Sequence, residues 1–307
     1  MANTLAYAQI FQEELDLQMI QGSTTGWMEP NSKMVKYSGG NEIKIPSVLM
    51  DGLADYDREN GYVKGSVSLT WETHTLTQDR GRKFQIDAMD VDETNFVVTA
   101  GSVMGKFQKT RVIPEVDAYR YGKIASTAIT KKVASGGYTP ADSTILNKLL
   151  YDIATVQDKI GDGVQLIITM PFTVGVILNA SEKLQKRIDV VDFKQGGIST
   201  KIKAIDGIPI MFAPSARLKT AFKFNDGKTE DEEAGGFESD PTAKTVNWLI
   251  TAQDAPIAVS KTDTPRIFDP QTNQDAHAWR IDYRKYHDLW IPEDKVSGIF
   301  ANVKEAL

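Results

Sequence analysis

From Val63 onward the chain alternates for an unusual distance. Val63, Gly65, Val67, Leu69, Trp71, Thr73, Thr75 and Thr77 fall on one face, and Lys64, Ser66, Ser68, Thr70, Glu72, His74, Leu76 and Gln78 on the other. A period of two is the signature of a β-strand. Mean strands are roughly 5–6 residues long, whereas this pattern lasts about three times that and would span on the order of 50 Å at ~3.3 Å per residue. Ile43 to Met50 supplies the return strand. The stretch between them, Asp51 to Tyr62, is rich in Gly and Asp and has no apolar run, so it reads as an exposed turn region.

A half-apolar ribbon of that length cannot hide within its own domain, because isolated two-stranded ribbons are marginal in water. A neighbouring copy of the same protein lying beneath it is the economical cover.

At 307 residues the chain has room for about two domain-sized units of ~150 residues each, and 41% hydrophobic content supports a real core. Lys and Arg number 35 against 41 Asp and Glu, a net charge of −6 that argues against a dedicated nucleic-acid-binding surface of the usual basic kind. The absence of cysteine excludes a disulfide framework and a thiolate metal site. Residues Met1 to Ile20 carry acids and no cationic segment before an apolar core, and no run reaches ~18 apolar residues. The expectation is a soluble, unsecreted chain without a membrane span.

Leu5, Ala8, Phe11 and Leu15 recur near helical spacing opposite Glu13, Glu14 and Asp16, so Leu5 to Ile20 reads as a short amphipathic helix, either a free arm or packed on its own domain. Gly22, Gly26, Pro30 and the Gly39–Gly40 pair then interrupt regular structure. Beyond the ribbon, Phe96, Ala100, Val103 and Phe107 form an apolar stripe behind Asp90, Asp92 and Glu93, whose charges suit a helix N-terminus. A helix is predicted from near Glu93 to about Gln108, and Pro114 opens another through about Ala125.

Pro140 and Asp142 precede a strong helix with Ile145, Leu146, Leu149, Leu150, Ile153, Val156 and Ile160 on one face and Gly161 after it. Val164 to Met170 reads as a buried strand, Phe172 to Arg187 as a helix behind Pro171, and Ile208, Ile210 and Phe212 as another buried strand. This marks a mixed α/β domain. Lys223 to Lys244, with consecutive acids at Glu230, Asp231, Glu232 and Glu233, reads as a surface loop. Val246 to Thr251, Pro256 to Lys261, Arg266 to Phe268, the alternating Trp279, Ile281 and Tyr283, and Ile299 to Val303 follow without helices between them, so one antiparallel sheet is expected.

Catalytic chemistry is hard to place. The chain has only three histidines, of which His74 and His287 sit in alternating strand patterns, where a solvent-facing or hydrogen-bonded role is expected, and no G-x-S-x-G elbow supports a hydrolase. Gly101 to Lys106 has three residues between its glycines instead of the four of a phosphate loop, and Phe107 stands where Ser or Thr would hold magnesium. Asp90, Asp92 and Thr94 resemble the start of a calcium loop, but Asn95 replaces its glycine and Gly101 its glutamate, so a helix cap is preferred. No enzyme activity, cofactor or metal is expected.

The long phrases TLTQDRGR (Thr75 to Arg82), DVDETN (Asp90 to Asn95), PEVDAYRYGK (Pro114 to Lys123) and AWRIDYRKYHDLWIP (Ala278 to Pro292) resemble the major capsid proteins of tailed double-stranded-DNA phages, the Hong Kong 97-type coat protein family. The resemblance runs from Leu5 to Leu289. It implies an α+β capsid fold with an N-terminal arm (1–42) and an extended β-hairpin or E-loop (43–89). A peripheral domain (90–130 and 246–307) would carry a spine helix and antiparallel sheet, beside an α/β axial domain (131–245).

The resemblance further implies self-assembly into pentamers and hexamers of an icosahedral phage head that encloses double-stranded DNA with weak, nonspecific contact. Portal, scaffold and decoration proteins are the other partners it suggests, and the virion, assembled in the bacterial host cytoplasm, is its location. Expected inter-subunit contacts are Tyr56, Asp57 and Arg58 at the hairpin tip, Val67, Leu69 and Trp71 along its stem, and Arg266, Phe268 and Asp269 near the local three-fold axes. Some relatives cross-link an E-loop lysine to a neighbour's asparagine. Lys64 lies in the hairpin, but no matching asparagine and glutamate are apparent. The alternative is an encapsulin-like compartment with the same fold, and a monomeric enzyme is the third reading.

Overall fold

The computed structural model describes residues 22–37, 42–59, 61–87, 89, 100–181, 188–195, 198–271, 273 and 275–307. The amphipathic segment expected at 5–20 and the acidic helix start at 90–95 lie outside them. In chain order, strands β1 (Lys36–Tyr37), β2 (Glu42–Met50), β3 (Val67–Thr75) and β4 (Gln78–Asp87) come first. Helices α1 (Ala100–Phe107) and α2 (Ile113–Thr130), strand β5 (Ala134–Ser135), helix α3 (Ile145–Ile160), strand β6 (Leu166–Pro171) and helix α4 (Phe172–Ala180) follow. The remaining strands are β7 (Ile188–Gln195), β8 (Ile198–Ile205), β9 (Ile208–Ala213), β10 (Phe222–Phe224), β11 (Phe237–Ser239), β12 (Val246–Ala252), β13 (Ile257–Phe268), β14 (Ala278–Trp290) and β15 (Ile299–Val303).

Helices α1 and α2 are joined without a loop. Gln108–Val112 is a π turn in which the Ile113 N–H donates to the Gln108 carbonyl. Pro114, in the first turn of α2, has no N–H and its ring crowds the carbonyl four residues back, so the wider turn carries the helix past it. The sequence anticipated both helices; the π turn that fuses them is new.

The largest core surrounds a seven-stranded sheet in the order β5-β15-β12-β6-β9-β8-β7. Strand β6 pairs parallel with β9 and antiparallel with β12. Every residue of β6 and β12 is buried, as expected of central strands covered on both faces. Helix α3 packs Ile145, Leu149, Ile153 and Val156 onto this core and ends at Gly161 with φ +80°. Each fully buried side chain of this kind contributes about 1.5–3 kcal/mol. Asp206 and Gly207, at φ +48° and +81°, make the two-residue turn between β8 and β9.

A second, three-stranded antiparallel sheet has the order β13-β14-β4. Its Phe84, Ile281 and Tyr283 meet Met104, Phe107, Val112 and Val116 of the fused helix, so this sheet lies against the helix. The single antiparallel sheet expected from the C-terminal strands is therefore corrected: β12 and β15 belong to the seven-stranded sheet. The reason is visible in β12, whose near-continuous apolar run differs from the alternating β14.

The strand read as one run from Val63 to Gln78 is also two. It starts at Val67, breaks at Leu76 and Thr77, and resumes as β4, so β3 pairs with β2 while β4 pairs with β14. Asp288 holds the break by accepting from Thr77 N (3.0 Å) and Thr77 Oγ1 (2.8 Å). The stretch read as a plain surface loop, 223–244, contains the β10–β11 hairpin, whose Phe222, Phe224 and Phe237 rings cluster. Gly122 makes room for it: a Cβ there would sit 3.1 Å from the Phe222 ring.

The segment before β1 is clamped to α2. Buried Asp117 accepts from Ser23 Oγ (2.8 Å), Thr24 N (3.1 Å), Thr25 Oγ1 (2.6 Å) and Arg217 Nη1 (3.1 Å). One turn on, buried Arg120 reaches Glu29 at 2.8 Å. Burial pushes the Glu29 carboxyl up, but Arg120 and then Lys285 hold it below its usual value.

Candidate intersubunit surface

The base of the β2–β3 ribbon is welded to the body. Ile43 and Ile45 are buried with Leu76, Ile257, Val259 and Trp290. His74 stacks on Trp290 with ring centroids 5.4 Å apart. Those buried residues lie on one face of the ribbon, and the opposite face lacks this support. Met50 is opposite Val67 and Pro46 opposite Trp71, which in an antiparallel pair puts them with Leu69 on one face. That face is in solvent: Met50 is 70% exposed, Val67 72%, Leu69 57% and Trp71 38%. The apolar face of the ribbon, the one a single chain would be expected to bury, is bare.

The tip is a small ordered unit. Ser66 N donates to Asp51 Oδ2 at 2.6 Å and closes its base. Asp57 and Gly61 form a bridge with backbone bonds of 3.2 and 2.8 Å, Gly61 having φ +80°. Glu59 N donates to Asp57 Oδ1 at 2.8 Å, and the Tyr56 and Tyr62 rings meet edge to face at 4.9 Å. Tyr56, Arg58, Tyr62 and Leu53 project outward.

Arg266, Phe268 and Asp269 lie at the far end of β13, in the other small sheet. Arg266 is exposed, Phe268 is half-buried under the Arg280 guanidinium (5.5 Å to the ring centroid), and Asp269 accepts from Gln271 N at 2.9 Å. The structure thus places the nine expected contact residues in three separate groups: tip, stem and β13 end. Sequence reading missed Met50, which the register puts opposite Val67, and Leu53 and Tyr62, lone apolar residues in a polar tip. It also missed exposed Phe172 and Val176 on α4 and Tyr151 on α3.

His287 is a correction. It is neither solvent-facing nor hydrogen-bonded at Nδ1, but buried against the edge of Tyr119 at 5.5 Å. Burial, then Lys285, Arg120 and Arg80, hold its imidazole well below the usual value. Among the described residues, no group of three His, Cys, Asp or Glu converges as a metal site, and no helix is long and apolar enough to cross a membrane. Residues Gly101 to Lys106 lie in α1 and the fused helix, not in a phosphate loop.

No protein-family model and no curated protein matches the chain. Solved structures do. The capsid of the cyanophage P-SCSP1u aligns with a TM-score of 0.57 at 10% identity, over 87% of this chain and 84% of that one. The mature capsid of bacteriophage PhiM1 aligns at 0.54 and 12% identity, over 87% and 82%. A virus-like particle from Pyrococcus furiosus aligns at 0.55 and 10% identity, over 96% and 99%. At these identities the likeness is one of fold. The fold of this chain is that of the phage major capsid proteins of the Hong Kong 97 type.

Proposed function

We propose that the chain is a non-enzymatic shell subunit that assembles with copies of itself into the head of a tailed phage. The observation that carries this is the bare apolar face of the ribbon, Met50, Val67, Leu69 and Trp71, on a fold shared with phage capsids. Contiguous exposed apolar surface of this kind marks an interaction site. In this reading the stem lies on one neighbour, Tyr56, Asp57 and Arg58 reach along it, and Arg266, Phe268 and Asp269 meet another. Separate modest contacts on one subunit reinforce each other through effective concentration. The assembly would be of pentamers and hexamers enclosing double-stranded DNA, with portal, scaffold or decoration proteins as further partners, built in the host cytoplasm.

Sedimentation and negative-stain microscopy of the purified chain test this. Capsomers or closed shells are expected, and a stable monomer of 34.0 kDa at high concentration would refute it. The near end-to-end alignment with the Pyrococcus particle favours a second reading, a nanocompartment shell. Particle contents separate the two: nucleic acid for a phage head, protein cargo for a compartment.

A further inference from the structure

The ribbon changes partner within two residues. Strand β3 stays paired with β2 up to Thr75, opposite Glu42, and β4 is paired with β14 from Gln78, opposite His287. Leu76 and Thr77 between them belong to neither ladder, so their backbone groups need partners of another kind. The Leu76 carbonyl accepts from the Tyr286 hydroxyl at 3.0 Å. Thr77 N and Oγ1 both donate to Asp288 Oδ2. The second oxygen of this buried carboxylate, Oδ1, accepts from the Tyr119 hydroxyl at 2.5 Å and from Leu289 N at 2.7 Å. Burial and then the Asp288 charge push the Tyr119 phenol above its usual value, so it stays protonated and donates.

The point where the ribbon leaves the body is thus held by side chains of β14 and α2. The apolar cluster beside it, Ile43, Ile45 and Leu76 against Ile257, Val259 and Trp290, presses one face of the ribbon onto the body. Apolar contact is non-directional, so it holds the ribbon down without choosing its angle. Hydrogen bonds do choose, because they weaken steeply below ~120°, and those to a carboxylate are the stronger kind. The angle matters because the ribbon is a lever. The nine residues of β3 at ~3.3 Å each reach roughly 30 Å, so a turn of about 10° moves the far end by about 5 Å, more than one side-chain contact.

We propose that Asp288, with Tyr119 and Tyr286, is the joint that sets the angle of the ribbon, and that these three are positioning residues for assembly although all of them belong to the body. The assembly clause rests on the shell reading; the joint itself does not.

The chain has no cysteine, so a single pair of nitroxide labels can be placed at Leu53→Cys on the tip and Asp294→Cys beyond β14, both exposed positions. Pulsed electron paramagnetic resonance on dilute, unassembled subunits reads their separation, and one narrow distribution is expected. Tyr119→Phe with Tyr286→Phe removes two hydroxyls and keeps both rings. That double variant should keep its melting transition while the distribution widens at least twofold, and Asp288→Asn should widen it as well. Lys223→Ala, which breaks an exposed pair with Glu232, should change nothing. The original width in both joint variants overturns the proposal, and so does a double variant that fails to fold, since its hydroxyls would then serve the core. Under negative stain the double variant should give open or unequal particles in place of uniform shells, and uniform shells from a widened joint would overturn its part in assembly. If the unaltered chain builds no shell at all, the shell reading fails while the distance widths still decide the joint.

Discussion

At the scale of single residues, Asp117 and His287 carry the sharpest consequences. Asp117 is fully buried and satisfies donors from 23–25 and from Arg217, so Asp117→Ala leaves several of them unpaired at once. Removing one partner of a buried ionic cluster costs about 3–5 kcal/mol. Urea denaturation of the unassembled subunit should show that loss, with cleavage by protease within 22–35 becoming faster; an unchanged midpoint would contradict the clamp. For His287 the folded state holds the imidazole neutral far below the ordinary value of 6.5. Below that pH the unfolded chain binds the proton first, so stability falls as pH falls, with a slope approaching about 1.4 kcal/mol per pH unit. His287→Phe should flatten the stability curve between pH 6.5 and 5, and parallel curves for the two proteins would disprove the effect. The sequence shows Asp117 and His287 as ordinary members of a helix and a strand. Their burial depends on what packs against them from distant parts of the chain.

At the scale of elements, the ribbon was legible because β-strand alternation is local, and its return strand came from the same rule. Its division at Leu76 was not legible, since the alternation continues into β4 while the hydrogen-bonding partner changes from β2 to β14. The β7–β8 hairpin was overlooked although Gly196–Gly197 between two β-rich runs is a hairpin signal; the expected helix through Arg187 instead ends at Ala180. Among the described residues, the tip contacts named above join one part of the tip to another, so deleting 53–60 should leave circular dichroism and melting near normal. The deletion removes Tyr56 and Arg58, and truncating one such interface anchor can cost ~2 kcal/mol or more. Repeated at every subunit, that should abolish closed shells under the electron microscope. Normal shells would refute the role of the tip, and an unfolded product would show that it belongs to the core.

At the scale of the whole molecule, a chain of net −6 offers little counterion release, so dissociated subunits should bind duplex DNA weakly and without sequence preference at physiological salt. Tight, sequence-selective binding in a filter or anisotropy assay would contradict the enclosing role. Periodicity by itself determined the ribbon, the two helices α1 and α2 without the turn that fuses them, and α3, because alternation, helix stripes and the Pro and Gly signals act over a few residues. Only the tertiary structure decided which sheet each strand joins, that β12 and β15 share the sheet of β6 rather than that of β13, and that one face of the ribbon stays exposed while the opposite face is buried at its base. Those outcomes depend on pairings between segments far apart in the chain, such as Leu249 with Thr169 or Thr77 with Asp288, and a local pattern carries no record of its distant partner.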